Sequence, residues 1–147
     1  MAARTTETVS AAGPARADAT GSLAATPLSD VLVSVLDRRL TGSVVFQDPD
    51  ARKSALTVAE GVIIKVRTPE PVVRLGDLLQ EVGAIDATAL ERGLRHAKQA
   101  GIALGQALLR LEAVAPEVLD AVLAEQLARR VLWVSGLPPE TRYGFYS

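Results

Sequence analysis

The strongest pattern in this sequence is a helical segment that occurs twice. The first copy reads RLGDLLQEVGAIDATALERGL over residues 74–94, and the second reads ALGQALLRLEAVAPEVLDAVL over residues 103–123. The copies align at one constant offset, at which Leu75 matches Leu104. Apolar residues recur at helical spacing in both, which predicts a short helix, a turn and a longer helix in each copy. The doubling indicates either a binding cleft with two half-sites or a structural helical bundle.

Local signals at the turns favour the same geometry in both copies. Gly83 suits the left-handed conformation that ends a helix, and Asp86 is a good N-cap for the next helix. In the second copy, Pro116 suits the first position of a helix because its φ angle is already restricted. Apolar pairs also occupy matching staple positions around each turn, namely Ile85 with Leu90 and Val114 with Leu119.

Each short helix also carries an early glycine, at Gly76 and at Gly105. A glycine inside a helix costs about 1 kcal/mol relative to alanine. A pair at matching positions therefore suggests that some group approaches each helix closely. The sequence leaves two candidates for that group, the backbone of a neighbouring helix or a ligand.

The region before the repeat predicts a helix that follows a disordered tail. Residues 1–20 are mostly Ala, Thr and small polar residues without apolar periodicity, so we expect disorder there and order from about Gly21. The stretch GSLAAT could form a short edge strand. The next helix is predicted from apolar residues at steps of three and four, which are Leu28, Val31, Leu32, Val35 and Leu36.

Three strand-like runs then predict an antiparallel meander. They are GSVVFQ, KSALTVAE and VIIKVR, with turn residues between them, and YGFYS near the C-terminus predicts a closing strand. The predicted fold class is α+β, a small antiparallel sheet with one helix, a four-helix tandem repeat and a last strand. One domain over residues 21–147 would comprise residues 21–70 as helix and meander, 71–135 as helical repeat, and 142–147 as closing strand.

Composition narrows the possible chemistry. The 147 residues contain no Cys and a single histidine, His96, which we expect on a solvated helix face. Disulfides, thiolate metal sites and cysteine nucleophiles are thereby excluded, and we predict no catalytic residue and no metal site. With 16 basic and 17 acidic residues, the net charge of −1 offers no electrostatic footprint for a nucleic-acid polymer. No apolar run is long enough for a membrane span, no secretory signal is recognisable, and we expect a cytoplasmic protein.

The order of motifs resembles the PATAN family, which is named for the N-terminal region of PatA-type response regulators. The resemblance covers about residues 21–147 and rests on GSL, PLSDVL, TGSVVF, AEGVIIKV, RLGDLL and a terminal GFY. It implies a bacterial signalling module that binds a protein partner and has no assigned reaction. Such modules are often attached to receiver domains, and none is present in this chain. A link to motility or polarity is likewise implied only by the resemblance.

The helical half is also similar to the MshEN-type N-terminal domains of type II secretion and type IV pilus ATPases. Some of those domains bind cyclic di-GMP across two tandem units, and an arginine and glutamines matter there. The matching positions in this chain are Arg74, Leu75, Gly76, Leu104, Gly105 and Gln126. The second unit departs from the motif, because Ala103 stands where a second arginine is expected.

Two functional hypotheses follow, and Arg74 distinguishes them. In a non-catalytic adaptor without a cofactor, Arg74 should be exposed, and a sheet edge or a helical groove should bind an unidentified protein. In a cyclic di-GMP sensor, Arg74 and Gln126 should face one shared groove, because a guanidinium group can bind a guanine edge or a phosphate through two hydrogen bonds. A homodimer is compatible with either hypothesis, because an open meander has edges that need to be covered.

Overall fold

The computed structural model describes residues 17–147, and the chain divides into two compact units. The sheet unit comprises the described residues up to Glu70 together with Leu132–Ser147, and the helical unit comprises Pro71–Val131. The predicted α+β class is confirmed, with a five-stranded antiparallel sheet and five helices among the described residues.

The sheet has the strand order β1-β5-β2-β3-β4, and all of its pairs are antiparallel. The predicted meander and closing strand are both confirmed. The closing strand lies inside the sheet, because it pairs with β1 on one side and with β2 on the other. The strands are β1 (Ala19–Ser22), β2 (Gly42–Gln47), β3 (Lys53–Ala59), β4 (Val62–Arg67) and β5 (Arg142–Tyr146).

The sequence placed the start of order slightly too late. Ala19 and Thr20 belong to β1, where they pair with Phe145 and Gly144. Pairing with a strand from the other end of the chain orders these residues, although their own side chains carry no apolar periodicity. Residues 1–16 of the predicted tail lie outside the described residues.

One face of the sheet is apolar and buried, and we call it the inner face. The inner-face side chains are almost fully buried, namely Val44, Phe46, Leu56, Val58 and Val66. Leu56 and Val58 alternate with Thr57 along β3, so both side chains lie on the inner face. The opposite face, called the outer face below, carries smaller and more polar side chains.

Helix α1, Leu28–Asp37, confirms most of the predicted apolar stripe. Leu28, Val31 and Val35 are buried. Leu36 is a correction, because its side chain is 59% exposed. At about 100° per residue, Leu36 lies well outside the arc that the three buried residues share.

The helical unit contains the predicted repeat. Its helices are α2 (Leu75–Glu81), α3 (Ala87–Ala100), α4 (Leu104–Arg110) and α5 (Pro116–Ser135), and the last of these runs past the end of the unit. The start of α4 matches that of α2, and the start of α5 matches that of α3, at the constant offset found in the sequence. The buried cluster between them is Leu78, Leu79, Ile85, Leu108, Val114, Leu119 and Val122.

The turns of the two repeats share one backbone conformation but not one residue type. Gly83 adopts the predicted left-handed conformation with φ 75°, and Asp86 Oδ1 accepts a hydrogen bond from Ala89 N at 2.8 Å. The position that matches Gly83 in the second copy is Glu112, which has φ 54°. Glutamate thus occupies a conformation that normally favours glycine.

Candidate functional site

Arg74 lies directly before α2 as its N-cap residue, and it is exposed. Its side chain makes no capping hydrogen bond. Within residues 17–147 no carboxylate pairs with its guanidinium group. The side chain is therefore available to bind an anion, and the exposure agrees with the adaptor hypothesis.

Gln126 is buried in the helical unit, where it satisfies the backbone. Its Nε2 donates a hydrogen bond to the carbonyl oxygen of Val73 at 3.1 Å. Val73 immediately precedes Arg74, so this hydrogen bond brings Gln126, which is distant in the sequence, next to the residue before Arg74. The side-chain amide of Gln126, which a ligand would need, is already hydrogen-bonded to the segment before α2.

Both early glycines face a leucine side chain, and at Gly76 a Cβ atom would clash with it, whereas at Gly105 it would be in ordinary van der Waals contact. A Cβ atom at Gly76 would lie 2.6 Å from Leu90 Cδ1, and one at Gly105 would lie 3.4 Å from Leu119 Cδ2. Leu90 and Leu119 occupy matching positions of the repeat. The expectation of a neighbouring helix backbone or a ligand is therefore corrected, because the approaching group is a side chain of the predicted staple.

The remaining motif residues also contribute to packing. Leu75 and Leu104 are partly buried against the apolar cluster. Leu75 Cδ2 lies 3.7 Å from the position of a Cβ at Gly105, and Leu104 Cδ1 lies 3.2 Å from that of a Cβ at Gly93. Each short helix therefore uses its first leucine to contact another helix, and Arg74 is the one charged residue in the predicted set.

His96 is less solvated than its sequence context predicts. Its side chain is partly buried, and its Nε2 is enclosed without a hydrogen-bond partner among residues 17–147. His96 follows the buried Gly93 of α3 by three residues, so the two lie near the same side of the helix. His96 is therefore at the border between the buried side and the polar side. Within the described part of the chain, no group of three His, Asp or Glu side chains could hold a metal ion.

Arg129 holds two acidic side chains on the surface of the helical unit. It donates hydrogen bonds to Glu81 Oε2 and to Glu125 Oε2, each at 2.9 Å. The hydrogen bond to Glu81, followed by that to Glu125, raises the pKa of Arg129 above its ordinary value. The guanidinium group thus links α2 to α5 rather than standing free for a ligand.

The sheet unit has an exposed apolar corner that sequence reasoning missed. The β4 edge surface, defined here as Leu36, Val62 and Ile64, exposes 59%, 59% and 58% of these residues. Gly61 lies against the end of α1, because a Cβ there would lie 3.1 Å from Leu36 Cα, and its N–H donates to Leu40 O, beyond the helix, at 2.8 Å. The sequence signal for this corner is the run of three apolar residues from Val62 to Ile64. Successive side chains of a strand point to opposite faces, so the three cannot all face the core.

The edge strand itself is irregular. Lys65 pairs with Thr57 and Ile63 pairs with Val58, so Ile64 has no residue opposite it on β3. This bulge twists the strand and turns Ile64 outward. The other side of β4 pairs with no strand among residues 17–147, which leaves backbone N–H and C=O groups available there.

Comparison with known protein families, with characterised proteins and with solved structures finds no significant match. The assignment to the PATAN family and the similarity to MshEN-type domains therefore stay predictions. Among residues 17–147, no helix has both the length and the apolar character that a membrane crossing requires.

Proposed function

We propose that this chain is a non-catalytic adaptor that binds a protein partner through the β4 edge surface. The observation that carries the proposal is the exposure of Val62 and Ile64 on the free edge strand, with the exposed Leu36 beside Gly61 at the start of that strand. Single exposed apolar residues are common on protein surfaces, but neighbouring ones beside a free strand edge are typical of interaction sites. The resemblance to PATAN modules supports the same role in cytoplasmic bacterial signal transduction, linked to motility or polarity.

The features around this corner favour a specific partner over unselective strand addition. The bulge at Ile64 interrupts the regular edge, and Lys65 and Arg67 place charges on the same strand. Both features discourage edge-to-edge aggregation. A partner that covers the corner would bury Leu36, Val62 and Ile64 and would have to accommodate this twisted edge.

The test compares two variants that keep the net charge unchanged. One carries Leu36→Gln, Val62→Thr and Ile64→Thr, and the control carries Leu94→Gln, which alters an exposed apolar residue of α3. Affinity capture from a bacterial lysate should yield a protein that the wild type and the control retain and the triple variant loses. The captured protein, once purified, should bind the wild type in isothermal titration. Equal retention by all three chains would defeat the proposal.

The same variants test whether the partner is a second copy of this chain. Sedimentation of the wild type should then give a dimer that the Leu36, Val62 and Ile64 substitutions dissociate. A monomer at all concentrations would direct the search to a different protein.

A second candidate function is cyclic di-GMP binding by the helical unit. It is favoured by the exposed Arg74 and by Gln126, whose hydrogen bond to Val73 O places it next to the residue before Arg74. Isothermal titration of the full chain with cyclic di-GMP tests it, with Arg74→Ala as the variant and Arg110→Ala as the control. Binding that only Arg74→Ala abolishes would support the sensor, and no heat from the wild type would reject it.

A further inference from the structure

The outer face of the sheet gathers the cations of the strands. The five strands contain four cationic residues and no acidic residue. The pairing register places all four on the outer face, because cross-strand partners in an antiparallel sheet share a face. These residues, the outer-face cations, are Lys53, Lys65, Arg67 and Arg142.

The register also gives the spacing of these charges. Arg142 and Lys53 both pair with Gln47, one from each side, so about two strand spacings or 10 Å separate their Cα atoms. Arg67 pairs with Ala55 and Lys65 with Thr57, on the strand beyond β3. The four charges are therefore spread over the face from β5 to β4, and small side chains such as Ala55 and Thr57 lie between them.

The floor is shallow and largely polar. A depression of about 450 Å³ lies between Lys53 and Arg142, and its walls include Thr20, Ser22 and Gln47. Val45 is the one aliphatic residue in its lining, Tyr143 and Tyr146 are its aromatic residues, and Gly21 and Gly144 supply no side chain. Such a surface offers charge and hydrogen bonds but little apolar contact.

The outer-face cations differ from other cations of the same unit. Arg39 pairs with Glu60 at 3.1 Å, and Arg52 pairs with Asp48 at 3.1 Å. All four outer-face cations are exposed, and none of them has a carboxylate within ion-pair distance among residues 17–147. Asp18 lies near the end of β5, where its Oδ2 accepts a hydrogen bond from Ser147 N. The cations are thus segregated from the acids in a chain whose net charge is −1.

We propose that this outer face binds an acidic polypeptide segment, which gives the adaptor a second contact with its partner. Exposed carboxylates of such a segment can reach the guanidinium and ammonium groups around the floor, and complementary charge also speeds association. Single-stranded nucleic acid needs aromatic platforms for its bases. The lining of the depression contains two aromatic residues, Tyr143 and Tyr146. The Tyr143 ring packs near Phe46 of the inner face, with ring centroids 6.4 Å apart, and the Tyr146 ring lies over Gly144, within 3.3 Å of the position of a Cβ there. An acidic polypeptide therefore fits the face better than a nucleic acid does.

The test uses a short fluorescein-labelled poly-glutamate peptide and the full chain. The face variant carries Lys53→Gln, Lys65→Gln, Arg67→Gln and Arg142→Gln. The matched control carries Arg92→Gln, Arg95→Gln, Lys98→Gln and Arg110→Gln, all exposed residues of the helical unit. Both variants change the net charge equally, so any difference between them reports the position of the charges. Circular dichroism establishes that each variant is folded.

We expect fluorescence anisotropy to show wild-type binding that weakens as salt is added, because exposed charges are screened over about 10 Å at 0.1 M salt. The face variant should bind at least about tenfold more weakly, since each exposed ion pair contributes a modest factor and four are lost. The control should retain the wild-type affinity. Equal weakening in both variants, or no wild-type binding at low salt, would overturn the proposal.

Two further measurements separate the alternatives. Oligothymidine that binds the wild type more tightly than poly-glutamate, and loses binding in the face variant, would assign the face to nucleic acid instead. This inference rests on the proposed adaptor function. The variant with substitutions at Leu36, Val62 and Ile64 distinguishes failure of the adaptor proposal from failure of the outer-face proposal. That variant should keep poly-glutamate binding while losing the captured partner. Loss of poly-glutamate binding by the face variant alone would support the outer-face contact, whatever the result for the β4 edge surface.

Discussion

At the scale of single residues, the repeat offers a matched pair of turn positions. Gly83 and Glu112 both adopt positive φ, at 75° and 54°, at equivalent places in the two copies. A left-handed conformation costs a residue with a side chain about 1–2 kcal/mol, which glycine avoids. Part of this gain is offset, because glycine loses more conformational freedom on folding.

We therefore expect Glu112→Gly to raise the free energy of unfolding by about 0.5–1 kcal/mol. The reciprocal change, Gly83→Ala, should lower it by about the same amount. A Cβ at Gly83 meets nothing within 4 Å, so that loss would be conformational and not steric. Urea denaturation of the two variants measures both values. A destabilising effect of Glu112→Gly would show that the glutamate side chain contributes more than its backbone costs.

Thr141 is a polar residue that is buried without a hydrogen bond to its hydroxyl group among the described residues. Its side chain is fully buried, and its Oγ1 has no hydrogen-bond partner in the structure. A buried polar group without a partner costs about 1–3 kcal/mol. Thr141→Val keeps the shape and removes the hydroxyl group, so it should raise the melting temperature.

The control for this prediction is Thr141→Ser, which keeps the hydroxyl group and removes a methyl group. It should lower the free energy of unfolding by about 1 kcal/mol, because it leaves a small cavity. Thermal unfolding of both variants tests the pair. Equal destabilisation by valine and serine would mean that the hydroxyl group does find a partner.

At the scale of elements, the β2–β3 turn shows how one side chain can close a hairpin. Asp48 Oδ1 accepts hydrogen bonds from the N–H groups of Asp50 and Arg52, each at 2.9 Å, and Oδ2 accepts one from Arg52 Nε at 3.1 Å. Burial opposes ionisation of this carboxyl group. The hydrogen bonds from Arg52 and Asp50 outweigh burial and hold the pKa of Asp48 below its ordinary value.

The sign of this shift fixes a pH dependence. A lowered folded-state pKa means that Asp48 stabilises the protein above its unfolded pKa of about 3.9, and that this contribution is lost as the pH falls through the lower folded-state pKa. Asp48→Asn should therefore be less stable than the wild type at neutral pH, and the difference should shrink in acid. Urea denaturation across this pH range measures it.

Asp50→Asn is the control in the same turn, because its carboxylate accepts no hydrogen bond from the described residues. It should leave the turn intact at every pH. A pH-independent loss in Asp48→Asn would instead indicate that the geometry of the side chain matters and its charge does not.

At the scale of the whole molecule, the first and last described strands pair within one sheet. β5 pairs with both β1 and β2, and β1 pairs with no other strand among the described residues. The sheet unit is therefore complete only after residues 142–146 have been added. The helical unit has an apolar cluster of its own, formed by residues within 71–131.

Deletion of residues 138–147 should therefore disrupt the sheet and spare the helices. We expect the strand signal in circular dichroism to fall and the cooperative unfolding of the sheet unit to disappear, while helical signal remains. Deletion of residues 1–16 is the control, because it removes no described strand or helix. An unchanged strand signal in the C-terminal deletion would contradict a structural role for β5.

Periodicity and turn chemistry could predict most of the elements. The repeat, the meander, the closing strand and the Asp86 cap depend on residues that are close in the chain, and local interactions specify them. The candidate site was less predictable. The motif residues Arg74, Gly76 and Gln126 matched a nucleotide-binding pattern, yet Gly76 receives Leu90 and Gln126 binds Val73 O.

The sequence alone was sufficient for most of the secondary structure, for the α+β class and for the internal duplication, because side-chain periods of two and 3.6 residues are local properties of strands and helices. It could not establish that β5 lies between β1 and β2, that Leu36 joins Val62 at an exposed corner, or that four cations share one sheet face. Those features depend on register and pairing between distant segments. Tertiary contacts select that pairing, since many registers satisfy the same local pattern.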